Sequence, residues 1–133
     1  MGELIIREQI TFLYCADLQE TATFYEELLG LPLVLDQGGC RIVQVAEGGG
    51  GYLGYCQRMV ESKEKPGVIF TLVVEGREEV DSWYGKLKEG EVEIPEAPRL
   101  NPDYGIYHFF FQDPNGYTLE VQSFLDPGWK TLK

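Results

Sequence analysis

Apolar and polar positions change period several times along the chain, and each change marks an element. Ile10 to Cys15, ITFLYC, is an apolar and aromatic run of strand length. Asp17 then stands as an N-cap, with Glu20 three residues on to close a capping box. Leu18, Ala22, Tyr25 and Leu29 follow at helical spacing and form one apolar face, which Gly30 and Pro32 terminate. Three more strands are expected over Leu33–Asp36, Cys40–Ala46 and Tyr52–Gln57, with the glycine-rich turns QGG and EGGGG between them.

The same order then recurs. VIFTLVV, Val68 to Val74, reads as a strand, and Glu78 to Glu89 carries Val80, Trp83, Tyr84 and Leu87 at helical spacing before Gly90. Strands are expected around Val92–Ile94, Ile106–Gln112 and Tyr117–Phe124. FYEELLG in the first half answers WYGKLKEG in the second: Phe24-Tyr25 and Trp83-Tyr84 lie 59 residues apart. The same shift sets Ile10 over Ile69 and Leu28 over Leu87, so the chain reads as one βαβββ module written twice. Module 1 spans about 8–57 and module 2 about 68–124, and the charged stretch 58–67, RMVESKEKPG, reads as their linker. Residues 125–133 form a tail in which Trp129 is expected to pack on a rim or a partner chain.

The closing stretch QDPNGYTLEVQSF poses a question. DPNG is a turn signal, and Tyr117, Leu119 and Val121 alternate with Thr118, Glu120 and Gln122. One strand face is apolar, and the other carries a hydroxyl, a carboxylate and an amide. On the hairpin alone, that polar face simply meets water.

Composition narrows the function classes. Acids outnumber bases 22 to 11, for a net charge of −11, which repels phosphate backbones and disfavours nucleic acid. No apolar run spans a bilayer, and no secretory signal is visible at the start of the sequence. Cys15, Cys40 and Cys56 are odd in number and lack metal-type spacing, so each is expected to pack as a small hydrophobe in a reducing cytoplasm.

The first helix, Asp17-Leu18 through Phe24-Tyr25, Leu29 and Gly30, and the closing Asp113-Pro-Asn-Gly116 through Glu120 resemble the vicinal oxygen chelate superfamily. That superfamily includes glyoxalase I, bleomycin- and fosfomycin-resistance proteins and extradiol dioxygenases. The resemblance implies an α+β fold: two βαβββ modules whose curved mixed sheets form a cup. It implies that Glu120, seven residues after Asp113, stands at a metal-ligand position and faces the cup. The other ligand positions are Ile10, Ile69 and the neighbourhood of Gly54, which have no donor atoms, although Glu47 lies near the last. Four to six donors are wanted for a divalent ion, so no metal cofactor is expected. A reduced site of one divalent metal on His108 and Glu120 is the alternative.

Strand parity in that fold faces Phe12, Tyr14, Tyr52, Cys56, Thr71, His108, Phe110, Glu120 and Gln122 into the cup. The segment from Glu91 to Tyr104, with Pro95, Pro98 and Pro102, borders the cup mouth in the family and brings in Arg99 and Tyr104. Arg41 and Arg99 are candidates for pairing with a ligand carboxylate or phosphate. The expected function is binding of a small aromatic or amphipathic molecule, as in the bleomycin-resistance branch, by a cytoplasmic homodimer. The alternative is a lyase, isomerase or dioxygenase-like enzyme with Glu120 and His108 as an acid–base pair.

Overall fold

The computed structural model describes residues 4–58 and 68–125. The expected linker beyond Arg58 and the tail beyond residue 125, with Trp129, lie outside the described residues. The chain divides into two compact units, Met1–Lys63 and Glu64–Lys133.

In the first unit, β1 (Gln9–Cys15) leads into α1 (Leu18–Ala22) and a π-helical segment (Thr23–Leu28). Then come β2 (Leu33–Asp36), β3 (Cys40–Gln44) and β4 (Gly51–Gln57). The sheet order is β1-β4-β3-β2, with β1 and β4 parallel and the other pairs antiparallel. In the second unit, β5 (Ile69–Val73), α2 (Arg77–Glu89), β6 (Arg99–Asn101), β7 (Ile106–Gln112) and β8 (Thr118–Phe124) repeat that plan as β5-β8-β7-β6. The duplicated order seen in the sequence is therefore duplicated topology.

Period-two alternation gives each sheet one helix-covered face. In the first unit Leu13, Cys15, Val43, Leu53 and Tyr55 are buried, as are Ala22, Tyr25 and Leu29 of the helical segment. Tyr25 stacks on Tyr55 with ring centroids 5.4 Å apart. In the second unit Phe109, Phe111, Leu119 and Val121 are buried, with Val80 and Leu87 of α2. Tyr84 meets Phe109 edge-on at 5.5 Å. Each Val, Leu or Phe among them withdraws enough apolar surface to be worth about 1.5–3 kcal/mol before entropy is set against it.

Asp17 caps α1 through its Oδ1, which accepts from Glu20 N at 3.1 Å. The helix then widens: Leu29 N reaches back five residues to Phe24 O at 3.0 Å. In the closing turn Asp113 Oδ1 accepts from Asn115 N at 2.8 Å and Tyr117 N at 2.9 Å, and Gly116 supplies the positive φ of +91°.

Two expectations fail here. Val92–Ile94 is not a strand: Val92 N donates to Leu87 O and Glu91 takes φ +63°, so these residues close the C-terminus of α2. The outer strand is instead Arg99–Asn101, which pairs with Ile106–His108 of β7. Pro98 and Pro102 bracket it and hold it to three residues, as suits an edge. Cys40 and Cys56 are also not independent hydrophobes, since they form a disulfide. They are directly opposed across β3 and β4 with Cα atoms 4.1 Å apart, a proximity that sequence spacing did not reveal. Cys15 is buried and lies outside the disulfide.

Candidate functional site

The face of the second sheet turned away from α2 answers the question posed by QDPNGYTLEVQSF. Register places Thr71 opposite Glu120, Phe110 opposite Glu120 from the other side, and His108 opposite Gln122. His108 and Glu120 are thus diagonal neighbours on one face, and their side chains meet. His108 Nδ1 lies 2.6 Å from Glu120 Oε2, and Thr71 Oγ1 donates to Glu120 Oε1 at 2.8 Å. His108 and Glu120 are 5% and 7% exposed, so this polar face is not simply in water. Gln122, opposite His108, is buried as well, and the half-exposed Phe110 ring meets the imidazole edge-on at 5.0 Å.

A buried carboxylate is costly unless hydrogen-bonded. Glu120 has a donor on each oxygen, so its burial is compensated. With Glu120 ionised and the imidazole neutral, Nδ1 carries the proton shared with Glu120 and Nε2 keeps its lone pair. Nε2 has no hydrogen bond to another described residue. The arrangement can therefore accept a proton or a hydrogen bond from a bound molecule and stabilise the resulting imidazolium.

The helix-free face of the first sheet is aromatic. Ile10, Phe12 and Tyr14 of β1 are exposed and stand beside Tyr52, Gly54 and Cys56 of β4. Arg58 lies over the Tyr14 ring at 4.8 Å, and Tyr52 donates to Glu8 at 2.8 Å. The Phe12 ring occupies the space above Gly54: an added Cβ there would come within 2.5 Å of it. Cys56 is on this face, but as half of the disulfide with Cys40.

Arg41 is displaced from the expected set. It neighbours Ile42 in β3 and so takes the opposite face, where its Nε and Nη2 each lie 2.7 Å from Glu26 of the π-helical segment. Its Nη1 lies 3.0 Å from Asp36, and Tyr55 OH donates to the same Glu26 carboxylate. The Arg41 hydrogen bond holds the Glu26 carboxyl below its usual range. Burial and then the hydrogen bond to Glu26 push the Tyr55 phenol up, and the Glu26 bond raises Arg41 further. With this anchoring, Arg41 ties strand to helix. Arg99 and Tyr104 are exposed, Tyr104 at 76%, and Arg99 lies 3.3 Å from Glu96. Sequence reading missed the Glu26–Arg41–Tyr55 cluster, whose signal was the parity of Arg41 against Ile42.

A metal shell fits this chain poorly. Ile10 and Ile69 offer no donor, the Gly54 position is covered by Phe12, and both Glu120 oxygens are already engaged. Among the described residues no group of three or more His, Cys, Asp or Glu side chains could hold a metal ion.

Two four-stranded mixed sheets of βαβββ topology, with a ligand-position glutamate on the helix-free face, define a vicinal oxygen chelate fold. The chain belongs to the glyoxalase/bleomycin resistance protein/dioxygenase superfamily, whose family model matches residues 8–121. Similar structures include a glyoxalase/bleomycin resistance protein/dioxygenase from Nocardioides, 21% identical over 96% of this chain and 89% of that one, TM-score 0.73. Lactoylglutathione lyase from Agrobacterium tumefaciens is 25% identical over 86% of this chain and 90% of its own, TM-score 0.66. The fosfomycin resistance protein FosX from Listeria monocytogenes is 16% identical over 90% and 94%, TM-score 0.72. No curated protein matches the sequence.

Proposed function

We propose that this protein binds a small aromatic or amphipathic molecule and that His108, braced by Glu120, takes the ligand's polar group. The observation that carries this reading is the buried 2.6 Å contact between His108 Nδ1 and Glu120 Oε2 on the helix-free face. Beside it Phe110 and Gln122 offer a ring surface and an amide, the usual mixture of a small-molecule site. Neighbours named for lactoylglutathione and fosfomycin are in keeping with small molecules as the ligand class. The same dyad supports a second reading, acid–base catalysis, because the imidazole has an orienting carboxylate on one nitrogen and an open lone pair on the other.

The poor donor set supports action without the family's metal triad. Elemental analysis after dialysis against Ni, Zn, Mn and Fe tests this, and one retained equivalent that is lost on Glu120→Gln overturns it. We further propose a homodimer, tested by light scattering, for which a 15 kDa species alone at micromolar concentration is the adverse result. No described helix is long and apolar enough to cross a membrane. A cytoplasmic protein would keep Cys40 and Cys56 largely reduced, so alkylation in cell extracts tests that location. The functional test is a thermal-shift screen of wild type, Glu120→Gln and His108→Asn against aromatic acids, phenols, quinones and glyoxal adducts. A ligand that stabilises wild type and neither variant is the expected result, and equal responses from all three refute the reading. Turnover of that ligand, abolished in both variants, selects the catalytic version.

A further inference from the structure

The Thr71 hydroxyl has a specific consequence for the imidazole two bonds away. Thr71 is opposite Glu120 in the parallel β5–β8 register, and its Oγ1 donates to Oε1 at 2.8 Å. The other oxygen, Oε2, faces His108 Nδ1 at 2.6 Å. One donor on each oxygen fixes the rotation of the carboxylate, and an oriented carboxylate in turn fixes which imidazole nitrogen holds the proton. Thr71 reaches His108 only through Glu120, and the exposed position of Thr71 on β5 makes this a bond that core packing does not require.

We infer that Thr71 is a positioning residue: it pins Glu120 so that His108 is held as the Nδ1–H tautomer, presenting Nε2 as a proton acceptor to ligands that bring an acidic proton. This deepens the binding reading and rests on it for the ligand class. Phenols, enols and N–H acids satisfy an Nε2 lone pair, whereas a carboxylate or phosphate ester meets it lone pair to lone pair. The net charge of −11 acts in the same direction, disfavouring anions.

The chain contains one histidine, so its ring nitrogens can be read without assignment ambiguity. The experiment is long-range ¹H–¹⁵N correlation NMR on the ligand-free, ¹⁵N-labelled full chain at neutral pH. The expected wild-type spectrum has a pyrrole-type Nδ1 and a pyridine-type Nε2. Thr71→Val, which keeps the β-branched shape and removes the hydroxyl, should move both nitrogens toward averaged shifts, and Thr71→Ser should restore the wild-type pattern. A wild-type spectrum with the proton on Nε2, or one unchanged by Thr71→Val, overturns the inference. Should Thr71→Val not fold, Glu120→Gln decides: its amide can donate to Nδ1, so Nε2 should become protonated, and an unaltered tautomer overturns the relay. Phenol and benzoate, added separately, test the ligand class. Phenol should shift Nε2 and benzoate should not, and the reverse refutes the class. Silence from both counts against the binding reading, while the role of Thr71 is still decided by the ligand-free spectra.

Discussion

Arg41→Met should destabilise the first unit, by an amount that can be worked from the geometry. The substitution keeps the apolar stem and removes a guanidinium fork that holds Glu26 through two contacts of 2.7 Å and Asp36 through one of 3.0 Å. Asp36 is half exposed, so its arm contributes almost nothing. Arg41 and Glu26 are 23% and 17% exposed, between the surface and the interior. Breaking an exposed pair costs about 0–1 kcal/mol and a buried one about 3–5, which places this one at about 2 kcal/mol. Arg41 stays charged at every accessible pH, so its own upward shift adds nothing to the pH dependence. Glu26 does titrate. Its folded-state pKa is lowered, so its contribution is full above the unfolded carboxyl value of about 4.3 and fades as pH falls through the folded value. Urea unfolding of wild type and variant at about pH 7 and about pH 3 reads both features. The gap should be about 2 kcal/mol at the higher pH and much smaller at the lower. A gap below about 0.5 kcal/mol at neutral pH, within the range of an exposed pair, or one equally wide in acid, refutes the reasoning.

The remaining predictions concern the two helix-free faces. Glu120→Gln should change stability by less than about 1 kcal/mol, because the amide can still serve Thr71 and Nδ1, whereas Glu120→Ala should cost about 2–3 kcal/mol by orphaning a buried imidazole N–H. Thermal melts of the pair check this, and equal losses would mean that packing rather than hydrogen bonding sets the cost. Gly54→Ala should cost about 1–3 kcal/mol by pressing into the Phe12 ring. Most of that loss should vanish in the Phe12→Ala background, and an additive double-mutant cycle would contradict the contact. Without reductant, denatured protein should take up one alkyl group, at Cys15, rather than three. Cys56→Ser should cost about 3 kcal/mol, as expected from a link closing a loop of about 15 residues, and three alkylated thiols before reduction would exclude the bond.

Much of the fold was legible because duplication and alternation are local signals. Leu33–Asp36 and Ile106–Gln112 were read to the residue, and the cap at Asp17 followed from side-chain type alone. What stayed hidden depends on register, which one strand does not carry. Cys40 and Cys56 are opposed only because β3 and β4 pair as they do. The Arg41–Glu26 pairing depends on which face of β3 turns toward the helical segment. Val92–Ile94 has strand composition, but the orphan carbonyls at the end of α2 claimed its backbone N–H.

Register also explains how a ligand-position carboxylate can persist where its partners have no donor atoms. The family's glutamate position sits in β8 with a residue of β5 directly opposite. In this chain that neighbour is Thr71, and the diagonal neighbour across the hairpin is His108. Together they satisfy both carboxylate oxygens from within the sheet. In the first unit the corresponding space is closed by apolar means, since the Phe12 ring lies against Gly54 and Ile10 faces Tyr52. The two units thus put one topology to different chemical use: an aromatic surface on one sheet, a braced imidazole on the other. On the second sheet the contact to Glu120 engages Nδ1 of His108 and leaves Nε2 without a bond to Glu120 or Thr71.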